Sequence, residues 1–309
     1  MKKILFLTTG GTLSCRATED GLVPELKGAD ILKEVPELNA LGKITVRDLC
    51  QLDSSNLTPA HWSKWAEIIG DNYSDYDAFV MSHGTDTMAF TACALSHMLI
   101  NLGKPVVLTG SQVPISIANS DARSNLELAF SVAASGLPGV YIAFGNKVVK
   151  GVLAKKIFSK NFNAFESVNE SPVLYFTKNG VKKNLPSREV VGGFRVENKM
   201  EAKVMSITMT PGLEPDIIDY AVNKGYKGIV LACYGAGGVN TETENFLPAI
   251  RRAVEKGVRV VCITQCLFDG VDLSLYPMGI LAAQAGVESG GGLTLEAAVT
   301  KLMWEMGNK

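Results

Sequence analysis

The segment Ile4–Ser14, ILFLTTGGTLS, runs an apolar strand directly into two glycines flanked by hydroxyl side chains. This limits the chain to folds in which a covered central strand ends in a tight turn. Ile4, Leu5, Phe6 and Leu7 show no alternation, the pattern of a parallel strand buried on both faces. Gly10 and Gly11 let the backbone turn sharply and leave main-chain N–H groups open to a ligand. Thr12 follows at once, so a hydroxyl nucleophile can stand beside donors suited to an oxyanion. The same residues also fit a phosphate-binding loop or a plain structural turn.

The arrangement occurs a second time. Ala78–Ser82 is a short apolar strand that delivers His83-Gly84-Thr85-Asp86-Thr87-Met88 into a helix expected over Phe90–Ile100. Asp86 can pair with an amine, or can simply complement the helix dipole. Lys43–Gln51 reads as a strand ending in Asp53-Ser54-Ser55, and Thr58-Pro59 starts a helix through Ile69. Further strands are expected at 104–110 and 140–144, with a helix from Ser120-Asp121 to about Ala134. Residues 15–27 mix charge, glycine and proline without a period, and read as a mobile loop where a lid would sit, or as an ordinary surface connection. Residues 147–156 alternate like a strand and end on Lys155 and Lys156, which on pattern alone read as solvated charge.

A polar, breaker-rich stretch then interrupts the chain, giving an N-terminal domain over 1–178, a linker over 179–203 and a C-terminal domain over 204–309. The last of these alternates apolar strands with amphipathic helices: strands at 204–209, 228–232 and 258–264, helices at 215–224, 242–256 and 295–306. Such alternation predicts a parallel sheet covered by helices.

Charge and cysteine content narrow the function. A formal net charge of −1 leaves no basic surplus for nucleic acid and suits a small neutral or zwitterionic ligand. The six cysteines form no C-x-x-C pair and only three histidines are present, so the thiols read as reduced packing residues and no metal site is expected. The opening Met-Lys-Lys-ILFL is too short for a signal peptide, and no stretch reaches membrane-span length. A cytoplasmic protein without a membrane partner is expected.

Thr9-Gly10-Gly11-Thr12 together with His83-Gly84-Thr85-Asp86-Thr87-Met88 resembles the bacterial-type L-asparaginase family, cytoplasmic branch. The likeness extends through Leu52-Asp53-Ser54-Ser55, Gly103-Lys104-Pro105, Thr109-Gly110-Ser111-Gln112 and Tyr234-Gly235-Ala236-Gly237. It implies two α/β domains, the larger N-terminal one with a flavodoxin/Rossmann-like, mostly parallel sheet, the smaller C-terminal one with a parallel sheet. It also implies hydrolysis of asparagine to aspartate and ammonia with no cofactor, in a homodimer or homotetramer with sites near the intimate interface. Carried over by motif, Thr12 is the nucleophile. Thr85, Asp86 and Lys156 form a second catalytic group, with Lys156 polarising Thr85. Asp86 takes the substrate α-amino group and Ser54 the α-carboxylate, while Gly11, Asp53, Ser55 and Gly84 complete the substrate pocket.

This chain departs from the family pattern in three places. The lid commonly carries a tyrosine, but here it reads Gly21-Leu22-Val23-Pro24, and the first tyrosine in the chain is Tyr73. The glutamate that the secreted branch takes from a partner has no clear equivalent near Asp269–Asp272, and Ala232-Cys233 stand where some relatives carry an effector-site arginine. Two rival readings follow: a glutaminase or amidotransferase-type amidase, and an amino-acid-binding regulatory protein of the same fold with little turnover.

Overall fold

The computed structural model describes residues 1–19, 21–177, 180–185 and 192–309, which form two compact units, Met1–Asn198 and Lys199–Lys309. The boundary expected at 178/179 and residues 186–191 of the expected linker lie outside the described residues.

Eight strands of the first unit form one sheet: β1 (Lys3–Gly10), β2 (Lys43–Leu52), β3 (Ala78–Ser82), β4 (Pro105–Thr109), β5 (Gly139–Phe144), β6 (Lys147–Lys150), β7 (Leu174–Thr177) and β8 (Gly180–Lys183). Their spatial order is β8-β7-β6-β5-β4-β3-β1-β2. Neighbours from β2 to β5 run parallel, with Ile4 opposite both Ile44 and Ala78. The strands β6, β7 and β8 add an antiparallel edge. Apolar runs mark the inner strands: every residue of β3, β4 and β5 is buried, whereas those of the edge strand β2 are exposed or only half-buried.

The helices of this unit are α1 (Gly28–Glu34), α2 (Pro59–Asp71), α3 (Met88–Met98) and α4 (Ala122–Ser135). On one sheet face Ile4, Phe6, Val80 and Val107 join Ile31 of α1 and Phe130 of α4 in one core, with Phe6 and Phe130 edge to face at 5.4 Å. Each such fully buried ring contributes about 1.5–3 kcal/mol by leaving water. The alternate residues Leu5, Leu7, Phe79 and Met81 point the other way and are also buried. Helix α2 starts as the sequence implies: Thr58 N–H donates to His61 Nδ1 at 3.1 Å and Pro59 occupies the first turn.

The strand order places the site. From β1 the chain goes to β2 on one side and then returns to β3 on the other, so the order reverses between β1 and β3. In open α/β sheets the crevice at the carboxyl ends of such a pair is where ligands bind. The Thr9–Thr12 turn and the His83–Asp86 turn both leave the sheet there.

Three local expectations are corrected. Residues 147–156 are not one strand: β6 stops at Lys150, a 3₁₀ turn covers Gly151–Leu153, and Ala154–Lys156 pairs with Phe165–Ser167 in a separate ribbon. The Gly151 carbonyl accepts from Cys93 Sγ of α3 at 3.2 Å, which draws the turn onto that helix and redirects the chain. The loop expected at 15–27 contains an antiparallel hairpin, Cys15–Thr18 with Gly21–Pro24, in register Arg16 to Val23. The helix expected from Glu242 begins only at Leu247, because an Asx turn, with Asn245 Oδ1 accepting from the Leu247 N–H at 3.0 Å, precedes it and Pro248 fits only the first turn.

Residues 192–198 belong to the first unit: Phe194 stacks on Tyr73 at 3.7 Å, and Arg195–Val196 pairs with Leu99–Ile100.

In the second unit β9 (Val204–Thr208), β10 (Gly228–Cys233), β11 (Arg259–Thr264) and β12 (Val287–Ser289) make a parallel sheet in sequential order. The helices α5 (Asp216–Asn223), α6 (Leu247–Glu255), α7 (Pro277–Gln284) and α8 (Leu295–Gly307) accompany it. Ile218, Ile229, Leu231, Phe246 and Ile250 anchor its core. Arg259 is forked between Glu288 and Glu305, at 2.6 and 2.7 Å, tying β11 to β12 and α8.

Candidate active site

Hydrogen bonds fix the end of β1 between its neighbours. Thr9 Oγ1 donates to the Ser82 carbonyl at 2.9 Å and Gly11 N–H to the Leu52 carbonyl at 3.1 Å. The Gly11 carbonyl accepts from both the N–H and the hydroxyl of Ser14, at 3.1 and 2.9 Å. Thr12, half-buried, is thereby the first residue of a 3₁₀ turn over Thr12–Ser14.

Two glycines bring three backbones into contact. Gly11 has φ +76°, and a Cβ there would lie 2.5 Å from the Gly84 Cα. A Cβ on Gly84 would lie 2.6 Å from Ser54 Oγ. Only glycine permits this stacking, so the Thr12 turn, the Thr85 turn and the Ser54 loop are adjacent by construction. Ser54 is buried, and its carbonyl accepts from Thr87 Oγ1 at 2.9 Å. Asp53 and Ser55 are exposed; the Asp53 carboxylate caps the Ser55 N–H at 2.8 Å and so shapes the short turn over Ser54–Asn56.

Lys156 completes the cluster from a different part of the fold. Its Nζ donates to Thr85 Oγ1 at 2.8 Å and to Asp86 Oδ1 at 2.6 Å. The lysine side chain is 15% exposed and that of Asp86 63%, so the ammonium is sheltered while the carboxylate reaches solvent. A lysine that pattern alone assigned to the surface is therefore an inward-facing donor.

The hairpin carrying Leu22 is tied down at its base, where Glu25 and Leu26 N–H groups donate to the Ser14 carbonyl at 3.0 and 2.9 Å. Leu22 itself is 50% exposed. Cys15, which opens the hairpin, stays a thiol: burial and then the Asp53 charge push it up to about 11, which makes it a poor nucleophile near neutral pH.

Reading the sequence missed the support beneath Gly84. His83 is fully buried, with Nδ1 2.7 Å from the Gly84 carbonyl and Nε2 2.8 Å from Thr91 Oγ1, which also accepts from Trp62 Nε1 at 2.9 Å. A carbonyl can only accept, so Nδ1 carries the proton and Nε2 takes one from Thr91. Burial pushes the imidazole down to about 4. The only sequence signal was a histidine at the end of an apolar strand.

Acid stability depends on this burial. The folded value lies below the ordinary ~6.5, so the unfolded chain takes up a proton that the folded one refuses, and stability falls as pH drops from about 6.5 to 4. The loss attributable to His83 is about 3 kcal/mol across that window. Denaturant unfolding at pH 7 and pH 4.5 should show a smaller drop for His83→Gln than for the wild type, and equal drops would refute the assignment.

A switch-point crevice on a parallel α/β sheet, furnished with two threonines, a sheltered lysine and a carboxylate, suits an amidohydrolase. Models of the asparaginase N-terminal domain and of the glutaminase/asparaginase C-terminal domain match residues 3–188 and 203–309, and the chain belongs to the asparaginase family. It is 39% identical over 307 residues to an L-asparaginase of Thermococcus kodakarensis, spanning 99% of this chain and 93% of the relative. L-asparaginase I from Vibrio cholerae superposes with a TM-score of 0.89 at 34% identity, covering 100% of this chain and 93% of that one. A glutamyl-tRNA(Gln) amidotransferase subunit of Pyrococcus abyssi is 35% identical over 325 residues, covering 100% of this chain and 73% of the relative.

Proposed function

We propose that the protein is an L-asparaginase that hydrolyses L-asparagine to L-aspartate and ammonia in two steps. Thr12 Oγ attacks the side-chain amide carbon, its proton passes to the leaving nitrogen, and ammonia departs from a β-aspartyl ester. Water then attacks the ester, releasing aspartate and restoring the hydroxyl. Asp86 takes the substrate ammonium, Ser54 the α-carboxylate, and main-chain groups at Gly11 and Gly84 line the pocket with Asp53 and Ser55. Lys156 acts through Thr85 in proton transfer, and Leu22 serves as an apolar lid residue. The observation that carries this reading is the Lys156 ammonium bridging Thr85 and Asp86 beside the Gly11–Gly84–Ser54 stack. No cofactor is required by this chemistry. Six free cysteines suit a reducing cytoplasm.

Ammonia release from asparagine by purified protein tests the reading. The amidotransferase relative motivates a parallel measurement with glutamine, and faster release from glutamine would move the assignment to a glutaminase-type amidase. Binding of asparagine without release would make the protein an amino-acid sensor, the reading that the leucine at position 22 motivates.

The functional form is a homodimer or homotetramer with sites near the intimate interface. Leu275, Tyr276, Met278 and Ile280 of the second unit are between 42 and 58% exposed, an apolar surface that association would cover. Sedimentation should give a dimer or larger species at assay concentration; a fully active monomer would exclude shared sites.

A further inference from the structure

A second concavity lies in the first unit at the amino end of β5, whereas Thr12, Thr85 and Asp86 follow the carboxyl ends of β1 and β3, which run parallel to it. Strand β5 itself separates the two levels by roughly 17 Å. The concavity has a volume of about 350 Å³ and is walled by Leu99, Leu102, Val140 and Val152. Leu99, Leu102 and Val140 are buried, and the Tyr141 hydroxyl donates to the Pro138 carbonyl at 2.8 Å beside it. Lys150 and Glu170 also line it, joined by an ion pair of 2.5 Å.

We propose that this cavity binds an α-amino acid with an apolar side chain. Its volume lies at the lower end of the range for small-molecule sites. The ion pair decides the chemistry. With side chains 32 and 54% exposed, Lys150 and Glu170 gain little from one another, because partly solvated pairs are worth about 0–1 kcal/mol. A zwitterion can therefore enter between them at small cost, its carboxylate on Lys150 and its ammonium on Glu170. An inorganic anion would satisfy the lysine and be repelled by the glutamate. A purely apolar ligand would fill the hollow and use neither charge. An apolar amino acid uses all three features, placing its side chain against the leucine and valine wall.

The walls are also connected to the catalytic groups. Leu99 directly follows α3, which starts two residues after Asp86, and Lys150 opens the turn that leads to Lys156. Cys93 Sγ joins these two segments through the Gly151 carbonyl at 3.2 Å. A ligand seated here touches both supports without entering the crevice.

Calorimetric titration with L-leucine tests the site, with 4-methylpentanoate and isoamylamine as analogues that each lack one charge. One saturable site is expected for wild type and for Thr12→Ala alike. Affinity should be at least about tenfold weaker in Lys150→Met and in Glu170→Gln, the scale of one charge-assisted hydrogen bond, and for either analogue. Both substitutions alter partly exposed side chains, and circular dichroism verifies that the variants fold. The proposal is overturned by no saturable heat up to about 20 mM L-leucine, by unchanged affinity in both variants, or by analogues that bind as tightly as leucine.

Discussion

Thr12→Ala is expected to lower asparagine turnover at least about 10²-fold, the scale of losing a nucleophile whose neighbours remain in place. The fold should survive. The bonds that hold the turn run from Gly11 to Leu52 and from Ser14 to Gly11, and none uses the threonine hydroxyl. A hydroxyl removed from a half-buried position therefore leaves the Gly11–Gly84 contact intact. Denatured-quench mass spectrometry should show a β-aspartyl adduct on the wild type and none on Thr12→Ala. Thr85→Ala should lose turnover to a similar extent, because Lys156 then has no hydroxyl to act through. Near wild-type turnover by folded Thr12→Ala would remove that residue from the mechanism.

Lys156→Met should slow single-turnover acylation by about 10²- to 10⁴-fold, the range for losing a group that moves a proton in the transition state. Methionine keeps the length of the side chain and loses the donor. Asp86, with its side chain 63% exposed, can be hydrated when the ammonium is gone, so the variant is not left with a buried unpaired charge. Thr85 is 5% exposed and loses the ammonium as its donor, a cost to stability and not to the chemistry, so circular dichroism accompanies the kinetics. Leu22→Ala, measured alongside, should mainly raise KM. A leucine carries no proton, and its part in a lid is to exclude water through apolar contact. Rapid acylation by Lys156→Met would end the proposed route, and a large loss of acylation in Leu22→Ala would show that the hairpin does more than cover the site.

The two glycine turns and the aspartate-serine loop could be read in the sequence because each is local: an apolar strand, a glycine that frees the backbone, and a polar group within four residues. Lys156 could not be read in this way. Its pattern is that of an exposed strand end, and it becomes an inward donor only because the Gly151–Leu153 turn seats on α3 and redirects Ala154–Lys156. The His83–Thr91–Trp62 chain was hidden for the same reason, since its members lie 8 and 29 residues apart and meet only when α2 and α3 pack. The late start of α6 depends instead on an Asx turn, in which Asn245 Oδ1 accepts from the Leu247 N–H, that competes with helix propensity.

The sequence by itself determined the α/β class, the covered parallel strands and the residues that turn sharply at their ends, because burial on both faces and glycine's conformational freedom are properties of short segments. Tertiary structure alone decided that β1 and β3 would be neighbours across the point where strand order reverses, with Gly11, Gly84 and Ser54 in contact and a lysine brought from 70 residues beyond Asp86 to bridge it to Thr85. No short-range pattern encodes that meeting. It depends on long-range packing, which brings side chains distant in sequence to the end of one sheet.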